Sequence, residues 1–340
     1  LLSAPVSDLD IATDLEPQKV MELARAAGIK AVPTGIDHGT VTLVERGIPH
    51  EVTTFRKDVA TDGRRAVVAF SKDIAEDASR RDFTMNALYA RPDGTVVDLQ
   101  ARRVRFIGTA ENRIREDYLR SLRFFRFHAW YGDHAEGFDA DGLAAIAANL
   151  DGLAGLSRER VGAELLKLLA AADPAPAVAA MRQCGVLGQV LPGADDRALA
   201  PLVHLEGGMA PEPVRRLAAL GGTDVAERLR LSKAQAAALA DLRAEAAGSK
   251  GAAELAYRFG TARARDMLLL RAALLEQPLL PGLETDIAKG AGAKFPLKAA
   301  DLMPGITGPA LGRMMRRLEA EWIASDFALS REALIARAKG

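Results

Sequence analysis

Residues 7–13 are the most informative strand candidate of the chain and read Ser7-Asp8-Leu9-Asp10-Ile11-Ala12-Thr13. Side chains of a β-strand repeat every two residues, so Asp8 and Asp10 share one face while Leu9 and Ile11 enter the core. Two hard oxygen ligands on one rigid face suit Mg²⁺, which commonly binds one or two carboxylates together with substrate phosphates. Because Asp-x-Asp pairs are also common as plain surface residues or loop caps, this stretch needs support from the rest of the chain.

The first hundred residues alternate strand-like and helical patterns. A helix is predicted from Glu16 to Ala27, with Pro17 near its start and Gly28 after its end. Stretches rich in β-branched residues predict strands at 40–44, 51–55, 67–70 and 95–99. The pattern predicts a small mixed α/β head.

Glu51 is a candidate third carboxylate. It heads the predicted strand 51–55, with Thr53 and Phe55 on its own face. Such a residue could bind or deprotonate an attacking hydroxyl beside bound metal. The alternative is an ordinary strand-end glutamate in water.

Beyond about residue 105 the strand signals vanish and helices follow one another. Residues typical of helix ends mark several of these helices. They are Asp173 before Pro174, a capping box of Ser232 with Gln235, Gly248 after that helix, Pro309 at the start of a helix through Ile323, and Ser330 before the last helix. The fold class is therefore α+β, a mixed head followed by an all-helical remainder. We place the domains at 1–100, 101–170, 171–260 and 261–340.

A predicted helix over 116–129 carries a possible base-reading pair. Tyr118, Leu122, Phe125 and Ala129 form its apolar stripe. Asp117 and Arg120 fall in one row at the i+3 spacing, which Arg123 and Arg126 continue. Asp accepts from an amino group and Arg donates to a bare ring nitrogen, so the pair matches cytosine and adenine but not uracil or guanine. A surface ion pair is the alternative, and on the helix alone the two interpretations are even.

Composition sets the remaining bounds. Forty-five basic and forty-five acidic residues give a net charge of zero, yet residues 101–130 hold eight arginines, no lysine and three acids. An all-arginine patch favours geometric recognition of phosphates or base edges, with a solvated helix face as the alternative. Cys184 is the only cysteine, which fits a reducing cytoplasm. No apolar run approaches the roughly 18 residues that would predict a membrane span.

Several segments resemble, in order, the class II tRNA nucleotidyltransferases, which include CCA-adding enzymes and have bacterial poly(A) polymerases as near relatives. They are the metal motif at 1–13, the strands at 33–42 and 51–56, the segment Arg80-Arg81-Asp82-Phe83-Thr84-Met85-Asn86-Ala87-Leu88, the nucleotide-selecting motif Arg115-Glu116-Asp117-Tyr118-Leu119-Arg120, and the helix-supporting motif Ser157-Arg158-Glu159-Arg160-Val161. The strong matches cover about residues 1–200, and 295–322 match more weakly.

The resemblance implies a polymerase-beta-like nucleotidyltransferase head followed by helical neck, body and tail, with tRNA held by the tail. It implies addition of CCA to tRNA 3′ ends from CTP and ATP. Asp8 and Asp10 would hold Mg²⁺. Arg81, Arg120, Arg123 and Arg126 would contact the nucleotide, with Asp117 and Arg120 reading the base.

One departure from the family pattern leaves alternatives open. The Gly-Gly-x-Val-Arg-Asp segment that precedes the metal motif in the family is not in this chain, and we expect it upstream of Leu1 in the natural polypeptide. Poly(A) polymerase, a partial enzyme adding only CC or only A, and a catalytically inactive RNA-binding relative are the alternatives. Oligomeric state cannot be read from the sequence.

Overall fold

The computed structural model describes residues 10–62, 65–84, 104–133 and 135–339. The chain divides into two compact units. The N-terminal unit comprises the chain to Asp196 together with Gly222–Leu231, and the C-terminal unit comprises Arg197–Gly221 and the chain from Ser232. The finer division into head, neck, body and tail stays a prediction.

A four-stranded mixed sheet forms the base of the head. Its strands are β1 (Asp10–Thr13), β2 (Lys30–Gly35), β3 (Thr40–Glu45) and β4 (Ile48–Thr54). Their order is β1-β4-β3-β2, in which β1 pairs parallel to β4 and the other pairs are antiparallel. A separate antiparallel hairpin is formed by β5 (Arg56–Asp62) and β6 (Arg65–Phe70).

One face of the four-stranded sheet is apolar and is covered by helix α1 (Pro17–Ala26). Val20 of that helix packs with Val41 and Val52 of the sheet. Ile11 lies in register with Val52 on this face, but it is 39% exposed. The prediction that Ile11 enters the core is therefore wrong. Strand β1 is an edge strand of the described sheet, so a neighbouring strand covers only one of its sides.

After the hairpin, the described chain forms a series of α-helices joined by loops. In chain order they are α2 (Ile74–Ser79), α3 (Ala110–Glu116), α4 (Leu119–Tyr131), α5 (Ala140–Ala148), α6 (Arg158–Leu169), α7 (Ala175–Gln183), α8 (Val186–Val190), α9 (Leu199–Glu206), α10 (Pro213–Leu220), α11 (Val225–Arg228), α12 (Lys233–Ala246), α13 (Ala252–Phe259), α14 (Thr261–Leu274), α15 (Leu283–Gly292), α16 (Gly308–Ala324) and α17 (Arg331–Lys339). None of these described helices is both long and apolar enough to cross a bilayer.

Most predicted elements are confirmed to within a few residues. The Ser232–Gln235 capping box is present, and the helix predicted from Pro309 runs over Gly308–Ala324. Local strand patterns did not indicate β2 or β5, although the family resemblance placed strands within 33–42. Strand β4 begins at Ile48, so Glu51 lies inside the strand and does not head it. The strand predicted at 95–99 lies outside the described residues.

An aromatic cluster fixes α4 in the N-terminal unit. Phe124 and Phe125 are fully buried, and the Phe106 ring stacks on Phe124 with centroids 5.5 Å apart. The Phe83 ring lies 4.9 Å from Phe106, and the two residues also form an isolated β-bridge. The backbone next to Phe83 is thereby held against α4.

The C-terminal unit contains an almost fully buried ion-pair network. Glu206 of α9 accepts from Arg215 at 2.7 Å and from Arg216 at 2.6 Å, both in α10. Arg215 also pairs with Asp266 of α14. The two cations are balanced by two carboxylates, as buried charges require.

The last helices pack around Trp322, which lies in a cluster with Leu297, Leu318 and Leu334. The Tyr257 hydroxyl donates to Glu319 at 2.6 Å at the edge of this cluster. Burial and the neighbouring carboxylate raise the pKa of Tyr257 to about 12.

Close helix packing in this unit predicts a specific glycine requirement. A Cβ on Gly290 of α15 would lie 1.8 Å from the carbonyl oxygen of Ala253 in α13, whereas a Cβ on Gly292 would meet nothing within 4 Å. Gly290→Ala should therefore lower the free energy of unfolding by about 1–3 kcal/mol or more, because the helices must separate. Gly292→Ala is the matched control and should be neutral or stabilising by up to about 1 kcal/mol. Urea unfolding followed by Trp322 fluorescence measures both; equal effects would contradict the packing.

Candidate active site

The sheet brings two of the three predicted catalytic carboxylates side by side. Asp10 of β1 and Glu51 of β4 are register partners in the parallel ladder, and both side chains are exposed. Register partners on adjacent strands lie roughly 4.8 Å apart on the same face. Asp8 lies outside the described residues.

The surroundings of this pair fit a divalent cation. Neither Asp10 nor Glu51 forms an ion pair with any side chain in the described part of the chain. Like charges placed opposite each other destabilise a sheet unless something compensates them. Carboxylate oxygens are the ligands that Mg²⁺ prefers, so the donor set suits that ion. Within the described residues no group of three or more His, Cys, Asp or Glu side chains could hold a metal.

Threonine hydroxyls extend the polar face of the sheet. Thr42 is the register partner of Glu51 on β3, and its hydroxyl lies 2.7 Å from that of Thr34. Thr53, two residues after Glu51, lies 3.2 Å from the Thr40 hydroxyl. This face is therefore polar, while the opposite face packs on α1.

Arg81 lies just past the C-terminal end of α2, next to Arg80 at the helix C-cap. Its Nη2 donates to Asp77 Oδ2 at 3.1 Å, and Arg80 Nε donates to Asp77 Oδ1 at 2.9 Å. Asp77 is almost fully buried, whereas the Arg81 side chain is 36% exposed. The segment beyond Thr84 of this motif lies outside the described residues.

The predicted helix over 116–129 is interrupted, which corrects the sequence interpretation. Helix α3 ends at Glu116, Asp117 is extended (φ −156°, ψ 106°), and α4 begins at Leu119. Asp117 Oδ1 accepts from the Leu119 N–H at 3.1 Å, a local bond that competes with continuing the helix. Leu122, Phe125 and Ala129 of the predicted apolar stripe are buried, and so is Phe127, which is not part of that stripe.

Asp117 and Arg120 are held by separate partners. Asp117 Oδ2 accepts from Arg160 Nη2 of α6 at 2.6 Å. Arg120 Nη1 donates to Glu116 and to the Arg113 carbonyl oxygen. An i,i+3 ion pair between Asp117 and Arg120, the alternative interpretation of the two residues, is therefore absent. Nε and Nη2 of Arg120 make no hydrogen bond within the described residues, and each Asp117 oxygen retains a lone pair.

Arg123 and Arg126 reach carboxylates that are distant in sequence. Arg123 Nε donates to Asp82 and Arg126 Nε to Glu164, and the Arg126 guanidinium lies 4.2 Å from the Phe127 ring centroid. Arg126 is the less accessible of the two, with 13% of its side chain exposed against 30% for Arg123. The binding roles of both stay predictions.

The arginine-rich segment is largely neutralised by ion pairs. Its described members each have an acidic partner, namely Arg105 with Asp139, Arg113 and Arg120 with Glu116, Arg115 with Glu111, Arg123 with Asp82, and Arg126 with Glu164. Several of these acids lie outside residues 101–130. The local charge count therefore overestimates how much positive charge is available to a polyanion.

Sequence reasoning missed the acids that hold the predicted arginines. Asp77 could have been found, because it stands three and four residues before Arg80 and Arg81, the spacing of helical ion pairs. Asp82 and Glu164 lie 41 and 38 residues from their arginine partners, so no local pattern indicated them.

Two family models match parts of this chain. Residues 1–101 match the model of the poly A polymerase head domain, and residues 138–197 match that of the probable RNA and SrmB-binding site of polymerase A. By its head domain, the chain is similar to the poly A polymerase family. The resemblance drawn from the motifs is thereby confirmed.

Curated relatives and solved structures agree with this assignment. The chain is 45% identical over 170 residues to mitochondrial CCA tRNA nucleotidyltransferase 1 of Mus musculus, covering 48% of this chain and 39% of that protein. It is 39% identical over 202 residues to a CCA-adding enzyme of Geobacillus thermodenitrificans, covering 57% of this chain and 48% of that protein. The chain thus spans about half the length, or less, of the curated relatives it matches.

The fold assignment rests on the solved structures. A CCA-adding enzyme of Bacillus stearothermophilus in complex with CTP superposes with a TM-score of 0.74 at 24% identity, covering 99% of this chain and 89% of the other. A Thermotoga maritima CCA-adding enzyme complexed with tRNA gives 0.66 at 16% identity, covering 98% and 87%. The predicted fold class, a nucleotidyltransferase head with a helical remainder, is confirmed.

Proposed function

We propose that the full-length protein adds CCA to tRNA 3′ ends from CTP and ATP. The observation that carries this proposal is the register of Asp10 with Glu51, which sets two carboxylates on one polar sheet face, where no described side chain forms an ion pair with either. Relatives named as CCA-adding enzymes support the choice of substrates.

In the proposed reaction the tRNA 3′ oxygen attacks the α-phosphorus of the nucleotide. The bond from that phosphorus to the bridging oxygen breaks, and pyrophosphate leaves. Asp10, together with Asp8, would hold Mg²⁺, which when bound supplies charge stabilisation for the triphosphate and lowers the pKa of the attacking hydroxyl. Glu51, adjacent to Asp10, accepts the hydroxyl proton or orients the hydroxyl.

Base selection is assigned to Asp117 and Arg120, and nucleotide contacts to Arg81 and Arg123, with Arg126 as a further candidate. The unused Nε and Nη2 donors of Arg120 and the remaining lone pairs of Asp117 support this assignment. Arg160 and Glu116 would hold the two side chains in orientation.

Base selection can be tested with two variants that remove the side chains of Arg120 and Asp117. Arg120→Ala should weaken selection of C and A, and Asp117→Ala should admit UTP better than the parent does. Loss of a charged hydrogen bond costs about 1.5–3 kcal/mol, so discrimination should fall about ten- to a hundredfold. The measurement is the ratio of kcat/KM for CTP over UTP. Arg182→Ala, which removes an exposed arginine paired with Asp196, is the matched control and should keep the parent ratio. An unchanged ratio in both selector variants would refute the assignment.

The tail is proposed to hold the tRNA. Arg313 and Arg316 of α16 support this, because both are exposed and form no ion pair within the described chain. We also propose a cytoplasmic location, in keeping with the single cysteine, although the mouse relative is named as mitochondrial.

The transferase activity has a direct test. Full-length protein, a tRNA ending in its discriminator base and α-labelled CTP should give labelled tRNA and an equal amount of pyrophosphate. A protein that binds the tRNA but transfers no label would instead be the inactive RNA-binding relative. Poly(A) polymerase is the second candidate, since the matching head-domain model carries that description; it would incorporate ATP repeatedly without needing CTP.

A further inference from the structure

Asp77 is a residue of α2 and lies beside the start of β5 and the Arg80-Arg81 segment. It is 2% exposed, whereas the side chains of Arg80 and Arg81, which it binds, are 19% and 36% exposed. Its Oδ1 also accepts from the backbone N–H of Arg56, at the start of β5, at 3.0 Å. One buried carboxylate therefore joins a strand, a helix and two arginines.

The strand end that Asp77 binds is continuous with the sheet that carries Asp10. The N–H of Phe55 donates to the Thr13 carbonyl oxygen at 2.7 Å, and Arg56 follows directly. Thr13 is the last residue of β1, three residues after Asp10. Asp77 thus relates the position of Arg81 to the strand that carries the candidate metal ligand.

The bonds to Arg81 fix its guanidinium without enclosing it. Arg81 Nε and Nη2 both donate to Asp77 Oδ2, at 3.3 and 3.1 Å, so Asp77 holds one edge of the planar guanidinium. The Arg81 side chain also keeps 36% of its surface exposed, where a ligand can reach it. Arginine recognises phosphate or ribose oxygens through such a fixed planar fork, and prior fixation reduces the entropy lost on binding.

We propose that Asp77 is a positioning residue that orients Arg81 for the nucleotide. This inference rests on the proposed function, because it assumes that Arg81 contacts the nucleotide. Asp77 itself touches no reacting atom. Its loss should weaken nucleotide binding through Arg81 and leave the chemical step nearly unchanged.

The test is a double-mutant cycle between Asp77→Asn and Arg81→Gln in the full-length protein. Asn keeps the shape and can still accept from the Arg56 N–H, but it loses the charge that fixes the two arginines. We expect Asp77→Asn to raise the KM for CTP, and the Kd for CTP in the absence of tRNA, about tenfold, with kcat within threefold of the parent. In the Arg81→Gln background the same change should alter both constants less than twofold.

Asp73→Ala is the matched control for general loosening of α2. Asp73 caps this helix by accepting from the Ala75 N–H at 2.8 Å. Its loss therefore weakens the helix and leaves the hydrogen bonds from Arg80 and Arg81 to Asp77 in place. We expect Asp73→Ala to lower the unfolding temperature and keep the KM for CTP.

The outcomes separate the two proposals. Effects of Asp77→Asn and Arg81→Gln that simply multiply, or a KM for CTP within twofold of the parent in Asp77→Asn, would overturn the positioning role while the proposed function stands. A KM raised equally by Asp73→Ala would reduce Asp77 to a structural residue. A parent protein that binds no nucleotide would overturn the proposed function, and this inference with it.

Discussion

Alanine at Asp10 should abolish nucleotide incorporation, with kcat/KM falling by at least about a thousandfold. The side chain shares the polar sheet face with Glu51, and no described side chain neutralises either carboxylate. A bound metal supplies several kcal/mol of transition-state stabilisation, and each 1.36 kcal/mol is a factor of ten in rate. The measurement is incorporation of labelled CTP into tRNA at saturating Mg²⁺. We expect the same loss from Asp8→Ala.

The control for Asp10 must show that the loss is chemical. Glu22→Ala removes an exposed acid of α1 whose one ion-pair partner among the described residues is Lys19, and it should retain parent activity. Binding of tRNA, measured by filter retention, should survive in Asp10→Ala because the substitution leaves the rest of the chain intact. Near-normal turnover of Asp10→Ala would remove the metal assignment.

Glutamine at Glu206 should lower the free energy of unfolding of the C-terminal unit by about 3–5 kcal/mol. The side chains of Glu206, Arg215 and Arg216 are each only 2% exposed, so the substitution removes the negative charge that two buried cations share. Breaking a buried pair on one side costs this much because the partner's desolvation is no longer compensated. Polar isosteric replacement keeps the packing, so the effect isolates the charge.

The measurement uses the two tryptophans of the chain, Trp130 in the N-terminal unit and Trp322 in the C-terminal unit. In a Trp130→Phe background, urea unfolding followed by fluorescence reports on the C-terminal unit alone. Glu284→Gln is the matched control, since its pair with Arg265 lies at the surface and should contribute less than about 1 kcal/mol. A Glu206→Gln effect no larger than that of Glu284→Gln would contradict the network.

Local patterns in the sequence predicted much of the fold. Period-two and capping signals depend on neighbouring residues, so β3, the capping box at Ser232 and the helix starting near Pro309 were predicted nearly to the residue. The local pattern gave no sign of strand β2, because Pro33 and Gly35 are weak strand formers, and the strand forms through its pairing with β3. Tertiary pairing of this kind overrides local preference.

The candidate site was predictable in its residue types but not in its pairing. Asp10 and Glu51 were named from strand patterns, and their adjacency depends on a parallel register across 41 residues that no local rule supplies. At Asp117 the apolar periodicity of 118–129 predicted an unbroken helix, but the side chain bonds the Leu119 N–H and the backbone extends. The ion-pair partner of Asp117 is Arg160, which lies 43 residues away in sequence, so no local pattern indicated it.

The length of the product made on a tRNA that ends in its discriminator base tests the central proposal most directly. Full-length protein given CTP alone should add two nucleotides and stop, and ATP added afterwards should extend the product by one more, to three. UTP and GTP should not be incorporated in either step. A ladder of many adenylates with ATP alone would contradict CCA addition and identify a poly(A) polymerase. Unextended tRNA in the presence of both CTP and ATP would contradict the assignment of an active transferase.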